Sequence, residues 1–292
     1  RIWAVPAGIM LFGLNGWFTG MQNAVIPMWT SIFINILHVL LSLWFVFGFD
    51  MGIVGIAYAS VVAQWSGMLL SLLLLVLCFR KTLHKIDIAK VLDVSALKEF
   101  FKVNGDIIIR TFCIVMVYTF FTAASARMGS DIVLAVNTML LQLFTLFSYM
   151  NDGFAYAAEA LTGRFVGAKD ELSLRRCIKR CVVWALGTAV VCILIYLFWW
   201  QDIMGMFVGE KSQLPEILTV ASEYIGWVIV IPMAAALPFL MDGIMVGATL
   251  TRILRNSMLL STVAYFGLYY SLYPIIGNDA LWLAFTVYMA LR

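Results

Sequence analysis

The chain has 292 residues, of which 63% are hydrophobic and 12% are charged. A soluble domain has about 45–50% apolar and about 25% charged residues, so this composition excludes a water-soluble globular fold. The formal net charge of +3 says little about partners, because in membrane proteins the placement of Lys and Arg matters more than their sum.

The hydrophobic residues form segments separated by short polar connections, and most segments are long enough to cross ~30 Å of hydrocarbon. The predicted segments cover residues 3–21, 25–48, 53–79, 105–126, 132–160, 181–200, 217–241, 257–276 and 280–291. This pattern predicts an all-α polytopic membrane protein. The last segment is shorter than the ~17 residues of a spanning helix and stops at Arg292, so we expect it to be truncated. Because residue 1 is Arg and no signal peptide precedes the first segment, the chain is expected to begin in mid-protein.

The basic residues predict the orientation of the segments in the membrane. Three alternate connections contain Arg80, Lys81, Lys85, Lys90, Lys98 and Lys102; Arg164, Lys169, Arg175, Arg176, Lys179 and Arg180; and Arg252 and Arg255. The intervening connections contain only Arg127 and Lys211. The positive-inside rule therefore places the three basic connections in the cytoplasm.

The longest polar connection, residues 80–104, combines basic residues with alternating Ile and Leu. This pattern favours an amphipathic helix on the cytoplasmic surface, with an ordinary loop as the alternative. We therefore expect three parts. Residues 1–79 form the end of an N-terminal lobe with three transmembrane helices, residues 80–104 form an inter-lobe linker, and residues 105–292 form a C-terminal lobe with six transmembrane helices.

An internal repeat relates the first and seventh segments. A shift of 227 positions places residues 15–20 on residues 242–247, and both copies contain Gly-x-x-x-Gly. This motif is common in membrane helices, so coincidence is the alternative explanation. If the repeat is real, one repeat unit has six helices. The intact protein would then have twelve helices in two lobes, a known transporter plan, and its first three helices would be absent here.

Four stretches with preserved helix spacing form a recognisable pattern. They are residues 16–27 with 35–38, residues 52–60, residues 104–110 and residues 151–168. Together they resemble the multidrug and toxic compound extrusion (MATE) transporters, specifically the DinF-like branch. The resemblance covers nearly the whole chain and implies helices four to twelve of a twelve-helix antiporter in the inner (plasma) membrane. Such antiporters export organic, often cationic, compounds in exchange for Na⁺ or H⁺.

The chain departs from the family pattern on its second segment. Other members often have Asn-x-x-x-Asp there, a pair that helps to bind the coupling cation, whereas His38 and Ser42 occupy the aligned positions. Ser60 on the third segment matches a Thr or Ser of the same neighbourhood. The resemblance therefore implies a cation site without its carboxylate, and both H⁺ and Na⁺ remain open. A lone intramembrane His such as His38 is as often hydrogen-bonded packing as a titrating group.

Charged side chains at membrane depth are costly, so each is a candidate site residue. Asp106 and Arg110 lie four residues apart, where an ion pair is easily formed. Asp152 and Glu159 lie seven apart on one face of the fifth segment, and Asp242 ends the seventh and could join them. One hypothesis is a protonatable network whose proton affinity depends on the pairing of the arginine. The other is a salt-bridged gate. The shallow position of Asp152 and Glu159 favours the gate, whereas the deeper position of Arg110 favours a role in the protonatable network.

Asn137 is a further candidate for a polar cavity, with bridging between helices as the alternative. We expect no cofactor beyond the coupling cation and no metal site, because Cys177 and Cys181 have no further Cys or His nearby. We also expect a monomer whose partners are small organic substrates and the bilayer, and no nucleic acid.

Four classes of function occur among polytopic membrane proteins of this kind: exporter, flippase, enzyme and channel. An exporter of amphipathic cations is favoured by the resemblance. A flippase for lipid-linked saccharides is the alternative, and it would need several deep basic residues to bind phosphate, whereas only Arg110 lies deep in a segment. An enzyme and a channel are not expected, because the sequence contains no catalytic motif and no selectivity-filter loop.

Overall fold

The computed structural model describes residues 2–80, 93–208 and 214–292. Residues 81–92, about half of the predicted linker helix, lie outside the described residues, as does Lys211. The rest of that linker, from Val94 to residue 104, forms the first turns of α4. Within the described ranges all regular structure is helical. The helices are α1 (Val5–Gly20), α2 (Val25–Leu43), α3 (Gly52–Phe79), α4 (Val94–Ala126), α5 (Asp131–Gly167), α6 (Glu171–Phe207), α7 (Leu214–Gly247), α8 (Thr251–Ile276) and α9 (Asn278–Leu291).

Each predicted segment corresponds to one of these helices, and α2 continues into a π-helical turn at Trp44–Gly48. Eight helices within the described ranges are long and apolar enough to cross a membrane, and α9, with 14 residues, is not among them. The segments predicted from residues 105 and 181 are the apolar parts of longer helices, because α4 and α6 begin about three turns earlier. Both helices begin earlier, after Asp93 and Asp170, whose carboxylates accept backbone N–H groups of the first turn.

The chain forms two compact units, Arg1–Leu92 and Asp93–Arg292, and the division falls within the predicted linker. In the first unit α3 packs against both α1 and α2. Its small core contains Ala7 and Leu11 of α1 and Met68 of α3, with Ile34 of α2 against them. The first unit is therefore a three-helix layer with much of its apolar surface exposed.

The second unit contains α4 to α9 around one core. The most extensive pairing joins α5 and α7, and α9 fills the space against α7 and α8. Aromatic side chains dominate the centre: Phe121, Phe144, Phe147, Trp282 and Phe285 are all fully buried. These rings meet edge to face, for example Phe121 with Trp282 at a centroid separation of 4.9 Å, which is a favoured aromatic geometry.

Two glycines set the close approach of α5 and α7. A Cβ atom on Gly243 would overlap the backbone of Ala155, and one on Gly247 would overlap the backbone of Glu159. The Gly-x-x-x-Gly motif of α7 is therefore a helix-packing motif, which lets two backbones meet. Its repeat counterpart in α1 has no atom within 4 Å of either Cβ position among the described residues. The contact brings Asp242, one residue before Gly243, against α5.

Candidate functional site

Asp242 is the centre of a buried charge cluster in the second unit. Its Oδ2 accepts hydrogen bonds from Arg110 Nη2 of α4 at 2.5 Å and from Arg292 Nη2 at 2.7 Å. The Asp242 side chain is 9% exposed, and those of Arg110 and Arg292 are 20% and 4% exposed. The Arg292 guanidinium also lies 4.0 Å from the centroid of the Phe239 ring, a cation–π geometry. One carboxylate oxygen therefore joins two guanidinium groups from opposite ends of the second unit's sequence.

The predicted ion pair between Asp106 and Arg110 was wrong. The Asp106 carboxylate instead accepts from Arg255 Nη1 at 2.6 Å and from the Thr251 hydroxyl at 3.0 Å. Thr251 and Arg255 lie in the first turns of α8, which packs directly on α4. An exposed pair four residues apart on one helix contributes only about 0.2–0.5 kcal/mol, whereas charge-assisted hydrogen bonds at a buried carboxylate are stronger. The neighbouring helix therefore supplies the partners.

Asp152 and Glu159 line a small cavity of about 100 Å³ together with Arg110, Asp242 and Tyr156. The two carboxylates lie on one face of α5, two turns apart, as the sequence predicts. Neither takes part in an ion pair among the residues that the structure describes. The cavity is therefore bordered by three carboxylates, of which only that of Asp242 is matched by a direct cationic partner.

Asp242 also lines a second cavity, with a volume of about 450 Å³. Three methionines, Met233, Met241 and Met245, contribute to its mainly apolar wall, and Arg292 contributes a cationic group. Met side chains are flexible and polarizable, and they occur at binding surfaces that accept varied apolar ligands. Asp242 therefore borders both a small polar cavity and a larger apolar one.

Of the three residues that the resemblance implies for a cation site in the first unit, two contact each other, His38 and Ser60. His38 Nε2 lies 3.0 Å from Ser60 Oγ, and the Ser60 hydroxyl donates to the Ile56 carbonyl at 2.9 Å. The serine hydroxyl has one proton and two partners, so which of Ser60 and His38 donates to the other depends on the imidazole tautomer. Ser42 does not join them: its Oγ is buried with no hydrogen-bond partner among the described residues.

Asn137 is a bridge between helices. Its Nδ2 donates to Ser125 Oγ of α4 at 2.6 Å and to Asn278 Oδ1 of α9 at 2.8 Å. Its Oδ1 accepts from Asn278 Nδ2 and from Trp282 Nε1. Two donors and two acceptor positions are all that an amide side chain offers, so Asn137 has no capacity left for a ligand.

Three residues of the two ion-pair groups were not predicted from the sequence: Thr251 and Arg255, which bind Asp106, and Arg292, which binds Asp242. Arg255 was interpreted only as a cytoplasmic charge, although Thr251 and Arg255 lie four apart and share a helix face, which was an available signal. Arg292 follows a short apolar segment, and nothing in the spacing of that segment distinguishes it from an ordinary flanking cation.

Comparison with known proteins agrees with this architecture. The MatE family profile matches residues 107–271, more than half of the chain. The chain is 33% identical to the DNA damage-inducible protein F of Escherichia coli over 99% of this chain and 62% of that protein. It is 24% identical to the chloroplastic Protein DETOXIFICATION 45 of Arabidopsis thaliana over 100% of this chain and 50% of that protein.

Solved structures show the same fold. A crystal structure of a mutant of the Vibrio cholerae MATE transporter VcmN matches 99% of this chain and 64% of that chain, with a TM-score of 0.79 at 17% identity. A MOP superfamily transporter from Pyrococcus furiosus matches 95% of this chain and 62% of that chain, with a TM-score of 0.80 at 17% identity. The chain thus spans less than two thirds of the length of each of these proteins.

Proposed function

The chain belongs to the MATE family of multi-pass membrane transporters, and we infer that the protein containing it is an antiporter. It exports small organic, often cationic and amphipathic, compounds in exchange for H⁺ or Na⁺ by alternating access. The observation on which this proposal rests most is the position of Asp242. This carboxylate binds Arg110 and Arg292 and borders both the small polar cavity and the methionine-lined cavity.

The charge balance of the cluster favours binding of a cation. Two guanidinium groups, those of Arg110 and Arg292, face three carboxylates, those of Asp152, Glu159 and Asp242. With every group ionised the cluster has a net charge of one negative unit. One bound H⁺ or Na⁺ would bring it to neutrality, which lowers the cost of closing it away from water.

Coupling would follow from the two cavities that Asp242 borders. A cation bound in the polar cavity would reduce the electrostatic attraction between the α5 carboxylates and Arg110. Arg110 could then bind Asp242 more strongly. Asp242 is then less available to a cationic substrate in the methionine-lined cavity. Binding of the coupling cation and of the substrate would thus be antagonistic, as exchange requires. Each would favour a different conformation of the transporter.

The flippase alternative is less well supported by the cluster. A phosphate group needs unpaired basic residues with hydrogen bonds to spare. Arg110 and Arg292 both bind Asp242, and Arg255 binds Asp106. A site with a net negative charge would repel a lipid phosphate.

The test is transport by the full-length protein in proteoliposomes, with the fluorescent cation ethidium as probe and imposed H⁺ or Na⁺ gradients. We expect one gradient to drive export. Asp242→Asn and Glu159→Gln should abolish the gradient dependence. Asp202→Asn is the matched control, because Asp202 is an exposed carboxylate of α6.

Asp106→Asn and Arg110→Ala separate the two ion-pair groups of the second unit. Asp106 binds Arg255 and Thr251 and does not line the polar cavity, so its variant should retain gradient dependence. Arg110→Ala should lose it. Equal transport by wild type and Asp242→Asn would refute the proposed coupling site, and no export of any cationic probe would reopen the flippase alternative.

A further inference from the structure

An apolar groove with a volume of about 660 Å³ lies between helices α4 and α8. None of the charge-cluster residues lines it. Phe112 and Met116 of α4 and Leu259 and Phe266 of α8 contribute to its walls. The hydroxyl of Thr262, which also lines the groove, donates to the Met258 carbonyl of its own helix. The volume is about twenty times the ~30 Å³ of one liquid water molecule, so a sizeable apolar group fits.

The rim of the groove faces away from the core of the second unit. Phe112, Val263 and Tyr270 are 66%, 69% and 64% exposed in this unit. The groove extends from Leu259 to Ser271 along α8, about 18 Å at 1.5 Å per residue. Half of the hydrocarbon core of a bilayer is ~15 Å thick. The groove therefore has the length and polarity of one acyl chain in one leaflet.

Basic side chains continue the same helix faces beyond one end of the groove. Lys102 precedes Ile109 on α4 by two turns, and Arg252 precedes Leu259 on α8 by two turns, roughly 10 Å in each case. Both are exposed, and neither forms an ion pair with any residue in the described ranges. Arg255 at the same end is already paired with Asp106. Two available cations thus lie where a lipid headgroup would be.

We propose that the α4–α8 groove binds an anionic phospholipid, with one acyl chain along the groove and the phosphate at Lys102 and Arg252. The positive-inside rule places this end on the cytoplasmic side, where the leaflet is rich in anionic lipids. Basic pockets between transmembrane helices on that side are suited to such headgroups. The groove shares no lining residue with the two cavities at Asp242. The proposal therefore does not depend on the transport activity.

Photolabelling of the full-length protein tests this site. The protein is reconstituted in phosphatidylcholine vesicles with a trace of phosphatidylglycerol or phosphatidylcholine that has a diazirine in one acyl chain, and labelled peptides are located by mass spectrometry. We expect phosphatidylglycerol to label residues 109–116 and 259–271 more strongly than phosphatidylcholine. Each basic residue should contribute about fivefold to that preference. Lys102→Gln with Arg252→Gln should remove the preference, and Arg175→Gln, an exposed cation on α6, should not.

Gly267→Leu tests the groove itself. Gly267 lines the groove, and a Cβ atom there meets no atom within 4 Å, so a leucine side chain would start in open space and extend into the groove. Gly187→Leu on α6 is the matched control, because its Cβ position is equally open and lies outside the groove. We expect Gly267→Leu alone to lower the labelling of α4 and α8 several-fold. Equal labelling by both lipids, or labelling unchanged in Gly267→Leu, would show only general lipid contact. No labelling of either helix would show that another part of the protein covers the groove, and either result overturns the proposal.

Discussion

The Arg110 guanidinium and the Asp242 carboxylate meet at 2.5 Å although 132 positions separate them in the chain. The approach depends on α7, whose glycines bring Asp242 against α5, and on α4, which directs Arg110 inwards. Because the same carboxylate oxygen also binds Arg292, the two partners of this pair are not equivalent. Among the residues that the structure describes, Arg110 has one anionic partner, which it shares with Arg292, whereas Asp242 has two cationic partners.

This asymmetry predicts unequal effects of removing either partner. Asp242→Asn leaves the buried Arg292 and the partly buried Arg110 without their shared anion and should cost about 3–5 kcal/mol. Arg110→Gln leaves Asp242 paired with Arg292 and should cost less, about 1–2 kcal/mol. Thermal unfolding of the purified protein in detergent measures the difference. The double variant should cost less than the two single costs together, because the residues interact directly. Equal costs for the single variants would contradict the shared pairing.

The glycine contact between α5 and α7 gives a second prediction. Gly243→Ala places a methyl group on the backbone of Ala155, so the helices must separate, at a cost of about 1–3 kcal/mol. The better helix propensity of Ala, about 1 kcal/mol, only partly offsets this cost. Gly226→Ala is the control on the same helix, where the Cβ position is open, and it should be neutral or stabilising. If both variants unfold at the same temperature, the close approach is not what holds Asp242 in place.

Most of the fold could be predicted from the sequence because the bilayer restricts it strongly. Apolar segments of sufficient length give the helices, and alternating basic connections give a consistent orientation. Helix ends were less predictable, since hydropathy detects the part of a helix in lipid, whereas hydrogen bonds and caps such as Asp170 determine where the helix begins. α6 therefore begins at Glu171, well before its apolar part.

The charge cluster was only partly predictable for a different reason. Arg110, Asp152, Glu159 and Asp242 all lie toward the ends of their segments that adjoin the basic connections, so their convergence on one side follows from the segment boundaries. The partner of Asp106 cannot be predicted in this way, because its identity depends on which helix packs beside α4. Spacing within α4 suggested Arg110, and α8 supplied Arg255. Tertiary packing decides between partners that the sequence leaves equal.

Asn137 lies near the start of α5, at the end of the second unit opposite the basic connections. Its hydrogen bonds give the next prediction. Asn137→Ala removes the hydrogen bonds to Ser125, Asn278 and Trp282 at once. At about 0.6 kcal/mol for an average polar contact between membrane helices, the loss should be about 2 kcal/mol. Asn104→Ala is the control, because Asn104 donates within its own helix, to the Phe100 carbonyl. Similar unfolding temperatures for both variants would show that the network does not join α4, α5 and α9 energetically.

His38 provides the last prediction, which separates packing from coupling in the first unit. The imidazole is hydrogen-bonded to Ser60, and Asp50 and Arg80 are the charged side chains among the described residues of this unit. Asp50 follows the π-helical end of α2 and Arg80 follows α3, so both lie at helix ends, away from the middle of α2. A helix-bridging role therefore suits His38 better than coupling.

We accordingly expect His38→Gln, whose amide can also hydrogen-bond to Ser60, to keep the pH dependence of ethidium export by the full-length protein. His38→Leu should lower stability by about 0.6 kcal/mol, the average for such a contact, and Ser60→Ala should lower it by more, because it also removes the bond to the Ile56 carbonyl. Export is measured between pH 5.5 and 7.5, the range around the ordinary histidine pKa of about 6.5. Loss of the pH dependence in His38→Gln alone would move the coupling site to the first unit, since Gln preserves the hydrogen bond but cannot bind the proton.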